Sequence, residues 1–451
     1  RHLQILQTGQ LHCLSRASVL APIKRRFAAS CNHLMTRPSV IVAGAGIIGA
    51  SIAFNLARKG YPVTLLDRTA PAAGASFGNA GGIVNNSCVP TSTPGIVFDV
   101  ARMLTQPHSP FSLRPRYFLK ALPWLIQFLN QSRRIRVDHN ADRLHALTSS
   151  AASDWLKLVG ETTLNRYVKD VGWLKVFSST NSFANMIFAQ QLMDRLQVPY
   201  EVLGASDIRQ LEPALAPEFS HGLFQSDALH ITDPGALVHE MTELLLAHGG
   251  TYQKMSVEQI NTSNDTVTVS SGSTSLTADK LIIATGAYSK TLATMVGDKV
   301  MLAAERGYHM MFPRTTATLL SRPVVNGDDS FVLSPMETGM RMTSQVEIAD
   351  VEDPPDYQRI RGLSQLAKRM LPELDIQEES VWMGCRPSLP DSLPVIGPSS
   401  VSNNIIYAFG HQHLGMTLGP VTAFLVEQIL AGVRAKIDLH PYRIDRFNTA
   451  F

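Results

Sequence analysis

The sequence predicts an α/β chain in two parts: a parallel-sheet domain that opens on a βαβ unit, and a second, α+β domain built on a discontinuous antiparallel sheet. Three observations predict it. The apolar run 39–43 (SVIVA) turns directly into Gly44-Ala45-Gly46-Ile47-Ile48-Gly49, and a second apolar strand, 62–66, closes on Asp67. After residue 300, HMMF from His309 and MRMTSQVE at 340–347 alternate as an antiparallel sheet with one exposed face does.

The run 39–43 is continuously apolar and β-branched, as in a strand buried on both faces. Each glycine after it has a mechanical role: Gly44 permits the tight turn, Gly46 lets backbone approach a pyrophosphate, and Gly49 allows close helix-to-strand packing. Residues 50–60 (ASIAFNLARKG) then carry helical spacing and end on glycine. The glycine motif alone also fits a turn in other α/β proteins. With the strand before it, the helix after it and Asp67 some two dozen residues on, it predicts a dinucleotide site whose phosphates face the helix N-terminus. Asp67 suits ribose hydroxyls and disfavours a 2′-phosphate, which leaves NAD or FAD.

Further on, 117–129 and 183–196 read as helices, 172–177 as a strand, 235–248 as a helix, Val257 and 267–270 as strands, and 280–284 (KLIIA) as a strand entering Thr285-Gly286. Residues 404–432 read as strand, glycine-rich turn and helix. The nucleotide domain is therefore expected over 37–100, 232–299 and 385–451, and the substrate domain over 101–231 and 300–384.

With 451 residues, 45% hydrophobic and 17% charged, the chain can bury a core large enough for two domains. A net charge of +3 gives no reason to expect nucleic acid. Cys13, Cys31, Cys88 and Cys385 are widely spaced and suggest no metal site, and no apolar run is long enough to span a membrane. The first 66 residues hold no Asp or Glu, and 25–30 read RRFAAS. A leader over 1–36 is thus expected, a mitochondrial transit peptide by composition. If the chain starts at Met35 instead, the cytoplasm or the inner face of the plasma membrane is expected.

Four further segments resemble the FAD-dependent D-amino-acid oxidase superfamily, particularly its D-amino-acid dehydrogenase and glycine oxidase-like members: SFGNAGGI (76–83), ATGAYS (284–289), GCRPSLPDSLPVIG (384–397) and GHQHLGMT (410–417). The resemblance implies a Rossmann-type FAD-binding domain with noncovalent FAD. It adds Arg68, Ser76, Asn79, Gly81 and Gly82 as cofactor contacts, Val257 beside the adenine, and Thr285 and Gly286 at the pyrophosphate. The turn Gly410, His411, Leu414, Gly415 and Met416 would support the flavin through backbone N–H groups and a helix dipole. His411 and His413 either contribute chemically or are satisfied structural histidines. Cys385 falls one position from the linking cysteine of covalent relatives.

The resemblance also places Arg386 on the arginine that binds a substrate carboxylate, a task suited to its planar fork; the competing reading is an ion pair with Asp391. Tyr308 and His309 would line the substrate cavity, only one of them pointing inward. The implied reaction is hydride transfer from the α-carbon of a D-amino acid, or a proline- or hydroxyproline-like imino acid, to flavin N5, giving an imine; no dedicated base is required. Ser344-Gln345 departs from the common pattern, in which relatives usually have a glycine before the threonine-like position. The acceptor is a quinone, an electron-transfer protein or O2. A glycine- or sarcosine-type oxidase and a silent FAD-binding subunit of a larger complex are the alternatives. The helix 117–129 with RRIR at 133–136 is either core packing with a basic end or a peripheral membrane contact.

Overall fold

The computed structural model describes residues 37–85, 87–96 and 110–447. Residues 1–36, over which a leader is expected, lie outside the described residues. Strand β1 (Val40–Ala43) is buried throughout. Helix α1 spans Ile47–Arg58 and β2 spans Val63–Asp67. α1 starts three residues earlier than the apolar spacing indicates, because Gly46 is its N-cap and Ile47 to Gly49 already form its first turn. Gly44 takes φ +107° and its N–H donates to Leu66 O at 2.7 Å. A Cβ on Gly49 would overlap the Gly44 carbonyl, so only glycine lets the helix sit this close to the turn.

The chain continues through α2 (Phe118–Gln131), β3 (Trp173–Phe177), α3 (Pro234–Ala247), β4 (Thr251–Lys254), β5 (Lys280–Ile283), β6 (Ala303–Met311), β7 (Val324–Asn326), β8 (Phe331–Met336), β9 (Gly339–Ile348), β10 (Ser380–Ser388), β11 (Val395–Pro398), β12 (Ile405–Phe409) and α4 (Gly415–Leu430), with shorter elements between them. The first sheet has the order β4-β2-β1-β5-β12-β11. All its pairs are parallel except β11 with β12. On one side α1 packs with Leu237 and Met241 of α3 and Met416 and Phe424 of α4. On the other, Ile41, Leu281 and Ile283 meet Val267 and Val269 of a small antiparallel sheet. A parallel sheet covered on both faces explains the continuous apolar runs.

The second sheet has nine strands, with β10-β6-β9-β8-β7-β3 followed by His221–Gln225 and Glu201–Gly204, and with Phe111–Leu113 beside β9. Its expected exposed face is absent: all nine residues of β6 are buried, as are eight of the ten in β9. One face carries Tyr308, Met310, Phe312, Phe331 and Met342 against Ile360, Leu363 and Met370. The other face turns toward the glycine-rich segment after β2. The expected boundary between 384 and 385 falls inside β10, so one strand carries residues of both expected domains. The helix expected over 183–196 is two helices, Thr180–Ala184 and Ile187–Arg195. Val257 lies in the loop between β4 and strand Gln259–Thr262, not in a strand.

Among the described residues no helix is long and apolar enough to cross a membrane, and no group of His, Cys, Asp or Glu is placed to hold a metal ion.

Candidate functional site

A cavity of about 1180 Å³ runs between the two sheets, larger than an ordinary small-ligand pocket. At one end it is lined by Gly44, Gly46, Ile47, Ile48, Asp67, Arg68 and Ser76, and by Val257, Thr285 and Gly286. Asp67 is fixed before any ligand arrives: Oδ2 accepts from Ala45 N (2.8 Å), and Oδ1 from Thr69 N and Oγ1 (2.9 Å each). Ala45 thus acts from behind the wall, through its amide. Gly49 is also outside the lining. Arg68 lies over the Tyr288 ring at 3.7 Å. Ser76 Oγ accepts from Ile47 N at 2.8 Å, which satisfies one donor of the first turn of α1.

In the middle, Asn79 and Gly82 line the cavity and Gly81 does not. Asn79 Oδ1 accepts from Gly81 N (2.7 Å), and Gly81, at φ +76°, packs on the buried His230. Arg341 Nη1 donates to Phe77 O (3.0 Å) and Asn79 O (2.7 Å), clamping this loop to the second sheet. The sequence reading missed Arg341. Strand pairing alone brings its side chain to this loop, which leaves no local motif.

The Gly410 turn contributes His411, Leu414, Gly415 and Met416 to the wall, whereas Gly410 sits behind it at φ +87°, over Leu389. Gly415, the first residue of α4, has Ile47 as its nearest neighbour across the gap. The N-termini of α1 and α4 therefore converge, and their dipoles favour an anionic group between them. The His411 ring is buried: Nε2 pairs with Thr422 Oγ1 at 3.0 Å, Nδ1 has no hydrogen-bond partner, and burial pushes its pKa down to about 3. His413 faces the cavity, held neutral by desolvation and by the Arg386 charge at about 4.

At the far end, Arg386 lies on β10 opposite Glu305 of β6. Nη1 donates to Gln345 O at 2.9 Å, and a Cβ on Gly307 would overlap the guanidinium, which lies flat on β6 because that residue is glycine. The competing partner is taken: Asp391 accepts two hydrogen bonds from Arg446, at 2.7 and 3.0 Å. No carboxylate among the described residues forms an ion pair with Arg386, which leaves the rest of its fork to the cavity. Glu305 also lines the cavity, and desolvation raises its pKa despite the Arg386 charge.

Two substrate contacts need correcting. Tyr308 borders the cavity, but its ring packs in the opposite core and its hydroxyl donates to Glu347 at 2.6 Å. His309 is on the cavity face but buried beneath it, stacked on Trp382 (5.3 Å) with Nδ1 3.3 Å from Gly78 O. Burial takes its pKa to about 3. The strand phase that points His309, Gly307 and Glu305 to one side makes Glu305, Trp382 and Arg386 the lining residues. Cys385 belongs to the opposite phase, and burial raises its thiol to about 11.

Residues 39–429 match the family model described as FAD dependent oxidoreductase (DAO). The chain is an FAD-dependent oxidoreductase of the DAO family. It is 34% identical over 416 residues to a D-amino-acid oxidase of Bradyrhizobium diazoefficiens, covering 90% of this chain and 98% of that one. It is 27% identical to a D-amino acid dehydrogenase of Rhizobium johnstonii, covering 90% and 99%. Among solved structures it is similar to glycine oxidase from Geobacillus kaustophilus (TM-score 0.68, 18% identity, 91% and 99% covered). It is also similar to L-proline dehydrogenase from P. horikoshii (TM-score 0.67, 17% identity, 92% and 98% covered).

The cavity of this DAO-family chain fits FAD. Converging helix N-termini suit a pyrophosphate, Asp67 stands at the ribose end, and the Gly46 backbone is open to the cavity. Gly44, Gly46, Ile47, Ser76, Thr285 and Gly286 would hold the phosphates, Asp67 and Val257 the adenosine, and the first turn of α4 the ring.

Proposed function

We propose that this chain oxidises the α C–N bond of a small D-amino acid to an imine, which water then converts to a keto acid and ammonia. The observation that carries the reading is Arg386, a guanidinium at the far end of the cavity with one main-chain hydrogen bond and no ion-pair partner among the described residues. A carboxylate ligand is what such a fork lacks, and two parallel charge-assisted bonds would fix its orientation. FAD, when bound, supplies the two-electron acceptor. The protein supplies position. Gly307 and Gln345 O hold the arginine, Trp382 and Trp173 wall off water, and the neutral His413 adds no positive charge beside a substrate amine that must be unprotonated. The D configuration follows the two named relatives, each matched over almost its full length.

The test is anaerobic mixing of the yellow holoenzyme with D- and L-amino acids, proline derivatives and N-methyl amines. Bleaching by D-amino acids is expected. Flavin that stays oxidised against the whole panel defeats the reading and favours a silent FAD-binding subunit.

We propose a membrane quinone as the acceptor, because α2 presents an uncovered apolar stripe. Phe118, Leu119, Leu122, Ile126 and Leu129 are exposed, Leu119 at 78% and Ile126 at 57%, and Ile135 follows at 67%. Arg116, Arg133 and Arg136 flank them without ion-pair partners among the described residues, which complements an anionic lipid surface. Sedimentation with phosphatidylglycerol vesicles and reduction of a short-chain quinone check this. Stoichiometric peroxide release in air without vesicle binding would favour the oxidase alternative.

A further inference from the structure

The cavity continues beyond Arg386 along the second sheet to a lysine that neither the FAD site nor the carboxylate clamp uses. Lys175, on β3, lines it together with Trp173, Met186, Met193, Leu223 and Val332, a mostly apolar set in which Gln225, paired with Trp173, is the neutral polar neighbour. Its amine has no carboxylate partner among the described residues. Its contacts are weak ones: Nζ lies 3.5 Å from Met186 Sδ and 5.4 Å from the centroid of the Phe177 ring, neither of which is a counter-charge. Desolvation lowers its pKa from the usual lysine value. A cation placed in an apolar chamber without a counter-charge costs stability unless a ligand supplies one.

Strand register places this amine relative to Arg386. Lys175 pairs with Val325 of β7, Val325 with Val332 of β8, and Val332 with Thr343 of β9, so Lys175, Val332 and Thr343 share the face that forms the cavity. The Arg386 guanidinium reaches across β6 to Gln345 O on β9. Three strand spacings, about 14 Å, therefore separate the strands carrying the two cationic contacts. In this register the chain running from Lys175 to Phe177 moves toward the Gln345 end of β9, so the Nζ that approaches Phe177 is turned to the end of the sheet where the guanidinium is held.

We infer that the substrate is an amino acid with a second carboxylate at the end of its side chain, Arg386 taking the α-carboxylate and Lys175 the distal one. This rests on the amino-acid reading above and narrows it to acidic side chains of the aspartate and glutamate kind. Lys175 is a specificity residue, remote from the bond that breaks.

The experiment compares anaerobic flavin reduction of the holoenzyme by D-aspartate and D-glutamate with that by D-alanine and D-norvaline, for the parent chain, Lys175→Met and Lys175→Arg. The parent is expected to favour an acidic over a neutral side chain of similar length in kcat/KM. K175M should lower that ratio by about 10- to 100-fold, the worth of a charge-assisted bond, and K175R should recover part of it. The ratio in the parent should also fall as pH rises through the lowered lysine pKa. Flavin absorbance titration of the parent with glutarate and butyrate reads the site without turnover and without mutation, and glutarate should bind more tightly. Reduction by neutral D-amino acids with no acidic preference, an unchanged ratio in a folded yellow K175M, or equal binding of the two acids overturns the inference and leaves the amino-acid reading intact. No reduction by any amino acid overturns both.

Discussion

Arg386 Nη1 is hydrogen-bonded to the main-chain oxygen of Gln345 at 2.9 Å, and Gln345 delivers that oxygen from a left-handed backbone conformation, φ +72°. The strand pairing explains why. β9 is in register with β6 at Glu347 and Arg306, then at Ser344 and Tyr308, so Gln345 and Val346 together face Gly307. One extra residue makes a bulge, and a bulge turns a carbonyl out of the ladder. For a residue with a Cβ the conformation costs on the order of 1–3 kcal/mol. The side chain offsets part of this through Arg359 Nη2, which donates to Gln345 Oε1 at 2.9 Å.

If the carbonyl is what matters, the substitution series at 345 separates by backbone preference. Gln345→Gly relieves the strained φ and forfeits the Arg359 bond, two effects of about 1 kcal/mol in opposite directions. Its melting temperature should stay close to the parent's, with Arg386 still held. Gln345→Val, β-branched and intolerant of positive φ, should lose about 2 kcal/mol and raise KM for carboxylate substrates. Equal KM values for the two variants would show that the bulge does not position the arginine.

Gly307 tests the same clamp from below. A Cβ there overlaps the guanidinium of Arg386, the movable partner against a fixed strand. Gly307→Ala should displace the fork and raise KM by about 10- to 100-fold, the value of the charged hydrogen bonds lost. The ratio of flavin to protein absorbance should be retained, because the phosphate-holding residues are elsewhere. A parent-like KM would remove Arg386 from the carboxylate assignment.

The nucleotide half of this fold was legible because its signals are local. Gly44, Gly46, Gly49 and Asp67 lie within one βαβ unit, and turn sterics dictate each glycine. Arg386 is legible through its motif, and so is the departure at Ser344-Gln345, but the bulge it marks is not. What stayed hidden depends on pairing between distant strands. Which of Tyr308 and His309 faces the cavity is fixed by the register of β6 against β10; Arg341 reaches the loop that walls the cavity, and Lys175 the cavity itself, from strands with no motif of their own. Burial on both faces of β6 also removes the solvated side that an alternating pattern implies.

Buried histidines make the fold acid-sensitive. His230, His309 and His411 are buried, and desolvation lowers their pKa values to about 4, about 3 and about 3. The unfolded chain takes up these protons near pH 6.5 and the folded chain only near 3 to 4. Below about 6.5 the unfolded state binds more protons, so stability is complete above that pH and falls as pH drops toward the folded values. At pH 5 the loss is on the order of 1–2 kcal/mol per histidine. The urea midpoint of the holoenzyme should fall between pH 7.5 and 5. His230→Gln, which keeps a donor for Pro335 O, now 2.9 Å from Nε2, should show a smaller fall. An identical fall would assign the acid sensitivity to other groups.

A buried ion pair lies beneath the clamp. Arg306 is fully buried next to Arg386 on the opposite phase of the sheet, and its guanidinium has no hydrogen-bond partner; Glu347 Oε2 lies 3.4 Å from Nε. Glu347 also accepts from Arg114 Nε (2.8 Å) and the Tyr308 hydroxyl (2.6 Å). Burial acts to raise the Glu347 pKa, but these two hydrogen bonds and the Arg306 charge outweigh it and hold the carboxyl below its usual value. Its stabilisation is therefore present above the unfolded carboxylate pKa and lost as pH falls through the folded one. Glu347→Gln would leave Arg306 buried without its counter-charge and should cost about 3–5 kcal/mol. Removing both charges should cost less than removing one, because an apolar side chain of similar volume needs no partner in that core. In a double-mutant cycle with Arg306→Met, the double variant is expected to be more stable than E347Q alone. If the two losses instead add, Arg306 and Glu347 are not coupled and the charge of Arg306 is balanced elsewhere.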